Sequence, residues 1–72
     1  MNVNKKVCNY IAKEWVKQSK SNRSFALDHN IDEKTVRKIL QNEGYRIPLK
    51  TLYKICESRS LKLKDFFSVV EI

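Results

Sequence analysis

Two helix-capping residues stand close together in this chain and limit what the segment around them can form. Ser21 and Asp32 each carry a side-chain oxygen that accepts a hydrogen bond from a free amide in the first turn of a helix. Their spacing leaves room for only about two turns of helix before the second helix begins. Asn30 lies where the chain must reverse, and Asn tolerates the left-handed backbone conformation that ends many helices. Residues 21–41 are therefore predicted to form two short helices joined by a tight turn, with Ile31 buried between them.

Apolar residues recur at helical spacing in the rest of the chain. A first amphipathic helix is predicted from about Asn4 to Ser19, a fourth helix after Pro48, and a short fifth helix near the end. The loop before Pro48, over residues 42–47, holds the only glycine. This pattern predicts an all-α fold. The residues predicted to face inward in the first four helices are Val7, Cys8, Ile11, Ala12, Trp15, Val16, Phe25, Ala26, Val36, Ile39, Leu40, Leu49, Leu52, Ile55 and Cys56.

The length and the charge of the chain restrict its class. At 72 residues it is predicted to be one domain, over residues 1–72. Its core should be modest, since a chain of this size buries only about 60% of its unfolded surface. Fifteen Lys and Arg against eight Asp and Glu give a formal net charge of +7, so polyanions are the expected partners. Charge alone does not choose among DNA, RNA and a membrane surface.

The apolar runs and the cysteines bear on the location of the protein. No run approaches the roughly 20 apolar residues that cross a bilayer, and the N-terminal segment lacks the hydrophobic stretch of a secretory signal. A cytoplasmic location is therefore expected. Cys8 and Cys56 lack the paired close spacing of a zinc site. They are predicted to be reduced, buried small hydrophobes, and a disulfide or a redox switch is the alternative.

Three segments together resemble the XRE, or Cro and phage-repressor type, helix-turn-helix family. They are FALDHNIDEKTVRKI over the two short helices, Pro48 leading TLYKIC, and LKLKDFF near the end, and they extend from about Val7 to Phe67. The resemblance implies a compact five-helix bundle, lambda repressor-like, that binds double-stranded DNA. The chain departs from the family's usual Gln, Gly and acidic residue at Asn22, Asn30 and Leu40, and its 42–47 loop is longer than usual.

The resemblance also implies base contacts from the third helix. One α-helix fits the major groove, and the residues of its first turns reach base edges. Lys34 and Lys38 lie one turn apart and would donate to guanine, and Glu33 would accept from a cytosine amino group. The alternative for Glu33 is an ion pair with Arg37 at i,i+4 spacing on a solvated surface. The predicted base contacts are Glu33, Lys34, Thr35 and Lys38.

Backbone contacts are expected around this helix. Asn22 and Arg23 begin the second helix, where free amides and the positive end of the helix dipole favour a phosphate. The other predicted backbone contacts are Arg37, Gln41, Tyr45 and Arg46. For Tyr45, packing over the loop is an equal alternative. His29 is predicted to be a structural or surface residue. Solubilising charge is the expected role of Lys5, Lys6, Lys50, Lys54, Lys62 and Lys64.

These observations predict a sequence-specific DNA-binding transcriptional regulator, located on the nucleoid. A repressor acting as a homodimer on an inverted repeat is expected. That it represses transcription and does not activate it is expected by family analogy alone. The C-terminal end is the predicted dimer interface, because its apolar residues exceed what one short helix buries. These residues are Leu61, Leu63, Phe66, Phe67, Val69, Val70 and Ile72.

Other classes of function have less support in the sequence. A protein-interaction or antitoxin-like adaptor on the same scaffold is the alternative, but the charged outer face of the third helix favours DNA. RNA is less favoured, because Tyr45 is the only aromatic residue near the predicted face. No phosphate-cradling glycine loop, metal-spaced Cys or His pair, or activated nucleophile is recognisable. No enzymatic activity, cofactor, metal or small-molecule ligand is therefore expected.

Overall fold

Within residues 2–41 and 43–72, which the computed structural model describes, all regular structure is helical. The all-α prediction with five helices is confirmed. Residue Asn42, with which the predicted loop begins, lies outside the described residues. The helices are α1 (Val3–Tyr10), α2 (Asn22–Asp28), α3 (Glu33–Gln41), α4 (Leu49–Ser58) and α5 (Leu63–Val70); a π-helical turn (Ile11–Trp15) and a 3₁₀ turn (Val16–Gln18) extend α1.

The first helix covers nearly the predicted range but changes its winding. The Asn2 side chain caps its start by accepting a hydrogen bond from the amide of Lys5 at 3.0 Å. Val7, Ile11 and Trp15 are all buried and lie four residues apart, a spacing that drifts around the axis of a regular α-helix. A π-helical turn is wider, with bonds to the fifth residue back, so residues four apart stay closer to one line. The widened turn thereby keeps Ile11 and Trp15 on the buried side.

Both predicted caps of the two short helices are confirmed. Ser21 Oγ accepts a hydrogen bond from the amide of Ser24 at 3.0 Å, and Asp32 Oδ1 accepts one from the amide of Lys34 at 2.9 Å. The prediction for Ile31 is wrong in degree, because its side chain is half-buried and packs at the edge of the core. Its backbone amide, not its side chain, closes the turn, by donating to the carbonyl of Ala26 at 2.9 Å.

In the described part of the chain, three helices end on a left-handed residue that is not glycine. Asn30 after α2 and Ser60 after α4 both have φ of +56°, and Glu71 after α5 has φ of +66°. The residue after each one donates its amide five residues back, which satisfies a carbonyl of the last helical turn. The prediction for Asn30 is thus confirmed. Lys6 is more than solubilising charge, because its Nζ donates to the carbonyl of Glu71 at 3.0 Å.

One hydrophobic core joins the five helices. Phe66 from α5 is fully buried, with its ring centroid 5.4 Å from that of Trp15 and 5.8 Å from that of Tyr10. Phe25 and Ala26 from α2 are buried as predicted. The other buried apolar residues are Val7, Cys8, Ile11, Val16, Val36, Ile39, Leu52, Ile55, Cys56 and Val70. Most of the predicted core is therefore confirmed.

The core predictions for Leu40 and Leu49 are wrong. Leu40 is 38% exposed, because the buried stripe of α3 is centred between Val36 and Ile39 and Leu40 lies at its margin. Leu49 is 67% exposed, since the first turn of α4 lies at the rim of the body, where it forms one wall of a shallow surface cavity beside Leu52.

The predicted C-terminal interface needs correction as well. Phe66 and Val70 belong to the core of the chain itself and are not available to a partner. Val69 is 50% exposed, but at about 100° per residue it lies on the opposite side of α5 from Phe67. The remaining apolar residues are therefore divided between two surfaces. Leu61, Leu63 and Phe67 are half-buried, and Ile72 is exposed.

Both cysteines are buried free thiols. Burial raises the pKa of the Cys8 and Cys56 thiols above its ordinary value. Their predicted role as buried small side chains is confirmed. In the part of the chain that is described, no helix has the length and apolar character required to span a bilayer.

Candidate nucleic-acid interface

The outer face of α3 is cationic and open to solvent. Val36 and Ile39 are fully buried and hold α3 against α1, α2 and the π-helical turn. The opposite side of the helix is therefore directed away from the body. Lys34, Arg37, Lys38 and Gln41 are all exposed there, as the sequence predicts. A cationic helix presented in this way has the dimensions and the charge to enter a DNA major groove.

Two of the predicted base-contact residues lie at the margins of this face. Glu33 forms an ion pair with Arg37, with Oε2 and a guanidinium nitrogen 3.3 Å apart. This is the alternative that the i,i+4 spacing predicts, and such a pair stabilises an isolated helix by only a few tenths of a kcal/mol. Thr35 is half-buried at the other margin, and its amide donates to the carbonyl of Asp32 at 3.0 Å.

The second helix packs against α3, and its first residues are Asn22 and Arg23. Arg23 is exposed there, whereas Asn22 is half-buried. Leu27 is 71% exposed and lies one turn after Arg23, on the same side of α2. Leu27 cannot be recognised from the sequence, since the apolar pattern of so short a helix does not separate an exposed leucine from a buried one.

The loop between α3 and α4 forms another border of this surface. Gly44 has φ of +79°, and a Cβ atom there would lie 3.3 Å from the side-chain amide nitrogen of Asn2. The next carbonyl, that of Tyr45, accepts a hydrogen bond from the Cys8 thiol at 3.4 Å. The Tyr45 ring packs against the core, while Arg46 is exposed. The loop is therefore held at Gly44 and Tyr45 by contacts with α1 and the core.

Lys38 and Tyr45 are in contact across this loop. The ammonium group of Lys38 lies 5.5 Å from the centroid of the Tyr45 ring, within the range of a cation–π interaction. Both residues are separate candidates in the sequence, which does not reveal their contact. No spacing rule connects a residue of α3 to one beyond the following loop.

A second cation, Arg59, is engaged at the C-terminal end of α2. His29 is buried, and its Nδ1 lies 2.8 Å from the carbonyl of Phe25. Its Nε2 lies 3.2 Å from the guanidinium of Arg59, and because Arg only donates, Nε2 accepts and Nδ1 carries the proton. The Arg59 guanidinium also lies 4.5 Å from the Trp15 ring centroid. His29 is thus a structural residue, as predicted.

The predicted contact residues on α2, α3 and the loop include five cations, and all five are exposed: Arg23, Lys34, Arg37, Lys38 and Arg46. Contact between the helix and the loop is made by Lys38 and Tyr45. The one lysine of α5, Lys64, lies on a helix that packs against α1 and α4. Among the described residues, no group of three or more His, Cys, Asp or Glu is arranged to hold a metal ion.

The fold and this surface define a helix-turn-helix DNA-binding protein. Residues 17–71 match the family model of the Cro/C1-type helix-turn-helix DNA-binding domain, which is most of the chain. The chain belongs to this family, and the resemblance to the XRE and Cro type is confirmed. It is a DNA-binding regulator of that type. No curated protein and no solved structure matches the chain significantly.

Proposed function

We propose that this protein is a sequence-specific repressor that binds double-stranded DNA as a homodimer on an inverted repeat. The observation that carries the proposal is the open cationic face of α3, held outward by the buried Val36 and Ile39. Its location would be the cytoplasm, on the nucleoid. The assignment as a repressor, as opposed to an activator, rests on family analogy. Catalysis, a cofactor, a metal and a small-molecule ligand have no part in the proposal, in keeping with a family that binds DNA.

Base reading is assigned to the first turns of α3. Lys34 and Lys38 would donate to guanine O6 and N7, and each good contact discriminates by about 1–3 kcal/mol. Glu33 would accept from a cytosine amino group, for which it must release Arg37, now 3.3 Å away. Thr35, at the margin of the face, would contact a base edge only when α3 is tilted toward it.

Phosphate contacts are assigned to the border of the same face. Arg23 on α2, Arg37 on α3 and Arg46 in the following loop are exposed and would supply the charge. Such contacts fix the register of the protein on the duplex without reading its sequence. Two uncharged side chains, Asn22 and Gln41, would add hydrogen bonds there. For Tyr45, a phosphate contact is the alternative to its packing over the loop.

Two copies are proposed to bind through the side of α5 on which the half-buried Leu63 and Phe67 lie. Leu63 and Phe67 lie one turn apart on that side, and Leu61 precedes them. The body measures 29 × 26 × 21 Å, so two touching copies can hold their α3 helices about 34 Å apart, one turn of the duplex. Leu63→Lys should shift the sedimentation profile to monomer, whereas Val69→Lys, on the other side of α5, should not. Equal effects of both substitutions would contradict this interface.

Selection of bound sequences from a pool of random duplexes tests the proposed function. Selection with this chain should yield one palindromic motif. The affinity of the protein for this motif should fall steeply as the salt concentration rises, because each neutralised phosphate releases about 0.9 counterions. A pool that shows no enriched motif at moderate ionic strength would overturn the proposal, and an asymmetric motif would remove the homodimer.

A further inference from the structure

We propose that Tyr45 is a positioning residue that holds the ammonium group of Lys38 in place for base reading. The inference rests on the proposed function and deepens it, because it assigns a specificity role to a loop residue outside α3. Direct contact between Tyr45 and DNA, through its phenol oxygen, is the competing role.

The surroundings of Lys38 explain why such support has an effect. Lys34 lies one turn before Lys38 on the same face, and like charges at this spacing repel. Lys38 has no ion-pair partner among the described residues, whereas Arg37 beside it pairs with Glu33. The electron-rich face of the Tyr45 ring, 5.5 Å from the Lys38 nitrogen, supplies the attraction that no carboxylate provides.

Tyr45 is held firmly enough to act as a support. The left-handed backbone of Gly44 sets the direction of the chain into it, and Asn2 closes the space around that glycine. The Cys8 thiol donates to the Tyr45 carbonyl at 3.4 Å, and the ring packs against the core. The position of the ring is therefore set by α1 and by the core.

Restricting a lysine before binding reduces the conformational entropy that binding must remove. A lysine side chain loses more rotamer freedom than most when it is fixed, so partial ordering in the free protein favours the complex. Lys34 has no aromatic ring of this kind beside it among the described residues, and it serves as an internal comparison. Loss of the Tyr45 ring should weaken the contact made by Lys38 and leave the contact made by Lys34 unchanged.

A double-mutant cycle on the selected duplex tests the inference. Tyr45→Phe keeps the ring and should bind like wild type, whereas Tyr45→Leu should raise Kd about two- to fivefold, as expected for an exposed cation–π contact. In a Lys38→Met background, Tyr45→Leu should have no further effect. Random duplex should show little difference in affinity between the wild type and the Tyr45→Leu variant. Thermal unfolding of each variant verifies that all are folded at the assay temperature.

Two binding outcomes would overturn the positioning role. Loss of affinity in Tyr45→Phe equal to that in Tyr45→Leu would assign the phenol oxygen to a direct DNA contact. An undiminished effect of Tyr45→Leu in the Lys38→Met background would show that Tyr45 acts without Lys38.

An NMR measurement without DNA separates failure of this inference from failure of the proposed function. The side-chain methylene next to the Lys38 nitrogen should be shifted upfield by the Tyr45 ring, and the equivalent group of Lys34 should not. The shift should persist in Tyr45→Phe and vanish in Tyr45→Leu. Absence of the shift in wild type overturns the inference even if a DNA motif is found. Absence of any motif overturns the proposed function even if the shift is present.

Discussion

Two cationic regions of this protein use their charge in opposite ways. At the junction of α2 and α4, the guanidinium of Arg59 bonds to the buried His29 ring and lies over Trp15. On the outer face of α3, Lys34 is exposed and its side chain has no partner among the described residues. The guanidinium of Arg59 is thus engaged by two aromatic side chains of the chain itself. The ammonium group of Lys34 is left open to solvent, as its proposed base contact requires.

Removing the buried ring at the junction should have the largest effect. His29→Ala deletes a ring stacked on Phe25, with centroids 3.9 Å apart, and leaves Arg59 without its acceptor. The free energy of unfolding should fall by roughly 2–4 kcal/mol. Urea unfolding followed by the fluorescence of Trp15 measures it. Arg59→Ala, which keeps the ring, should cost less, and an equal cost would mean that the hydrogen bond and not the packing is decisive.

Removing a lysine from the open face should change specificity and leave stability intact. Lys34→Ala should weaken the selected duplex by about 1–3 kcal/mol, because a base contact is lost, and weaken random duplex far less. Its unfolding free energy should stay within about 0.5 kcal/mol of wild type. Lys64→Ala on α5 makes the same change of charge outside the outer face of α3. It should leave the preference for the selected duplex over random duplex unchanged. Equal loss on both duplexes would reduce Lys34 to a phosphate contact.

Removing a cation from the border should produce a uniform, salt-dependent loss. Arg46→Ala should weaken binding to all sequences alike and lower the slope of log affinity against log salt by about 0.9, the share of one phosphate. Titrations at several salt concentrations, on the selected and on a random duplex, provide the test. A change of preferred sequence in this variant would instead place Arg46 at a base edge.

The smallest effects should come from the left-handed helix ends. Ser60→Gly removes the strain of a Cβ atom at φ of +56° and should raise the unfolding free energy by up to about 1 kcal/mol. Asn30→Gly should gain less, since Asn tolerates this conformation better than Ser. Neither substitution should alter DNA affinity. The reverse order of the two gains would contradict the strain argument.

Local chemistry explains which parts of the fold the sequence predicts. The caps at Ser21 and Asp32 and the left-handed Asn30 depend on neighbours within a few residues, and all three are found as expected. Leu40 and Leu49 follow the same apolar pattern as buried residues but lie where the body ends. Periodicity gives the face on which a side chain lies, whereas the edge of the body depends on how all the helices pack.

The candidate site divides in the same way. The exposure of Lys34 and Lys38 follows from the helical repeat of α3 alone. The contact of Lys38 with Tyr45 crosses a loop, and the hydrogen bond between His29 and Arg59 joins residues thirty positions apart, so each requires the packed structure. The residue type indicates that such a side chain needs a partner. Which residue becomes that partner depends on how the chain packs in three dimensions.

The widened turn over Ile11–Trp15 marks a place where this family member can change its length. A π-helical turn accommodates one amino acid more than the regular winding it replaces. Deletion of one of its solvent-facing positions, such as Lys13, would return the segment to ordinary winding, while Cys8 ahead of it and Val16 behind it keep their neighbours. An insertion or deletion elsewhere in α1 would rotate the part of the helix on one side of the change relative to the other, and would turn its buried residues out of the core.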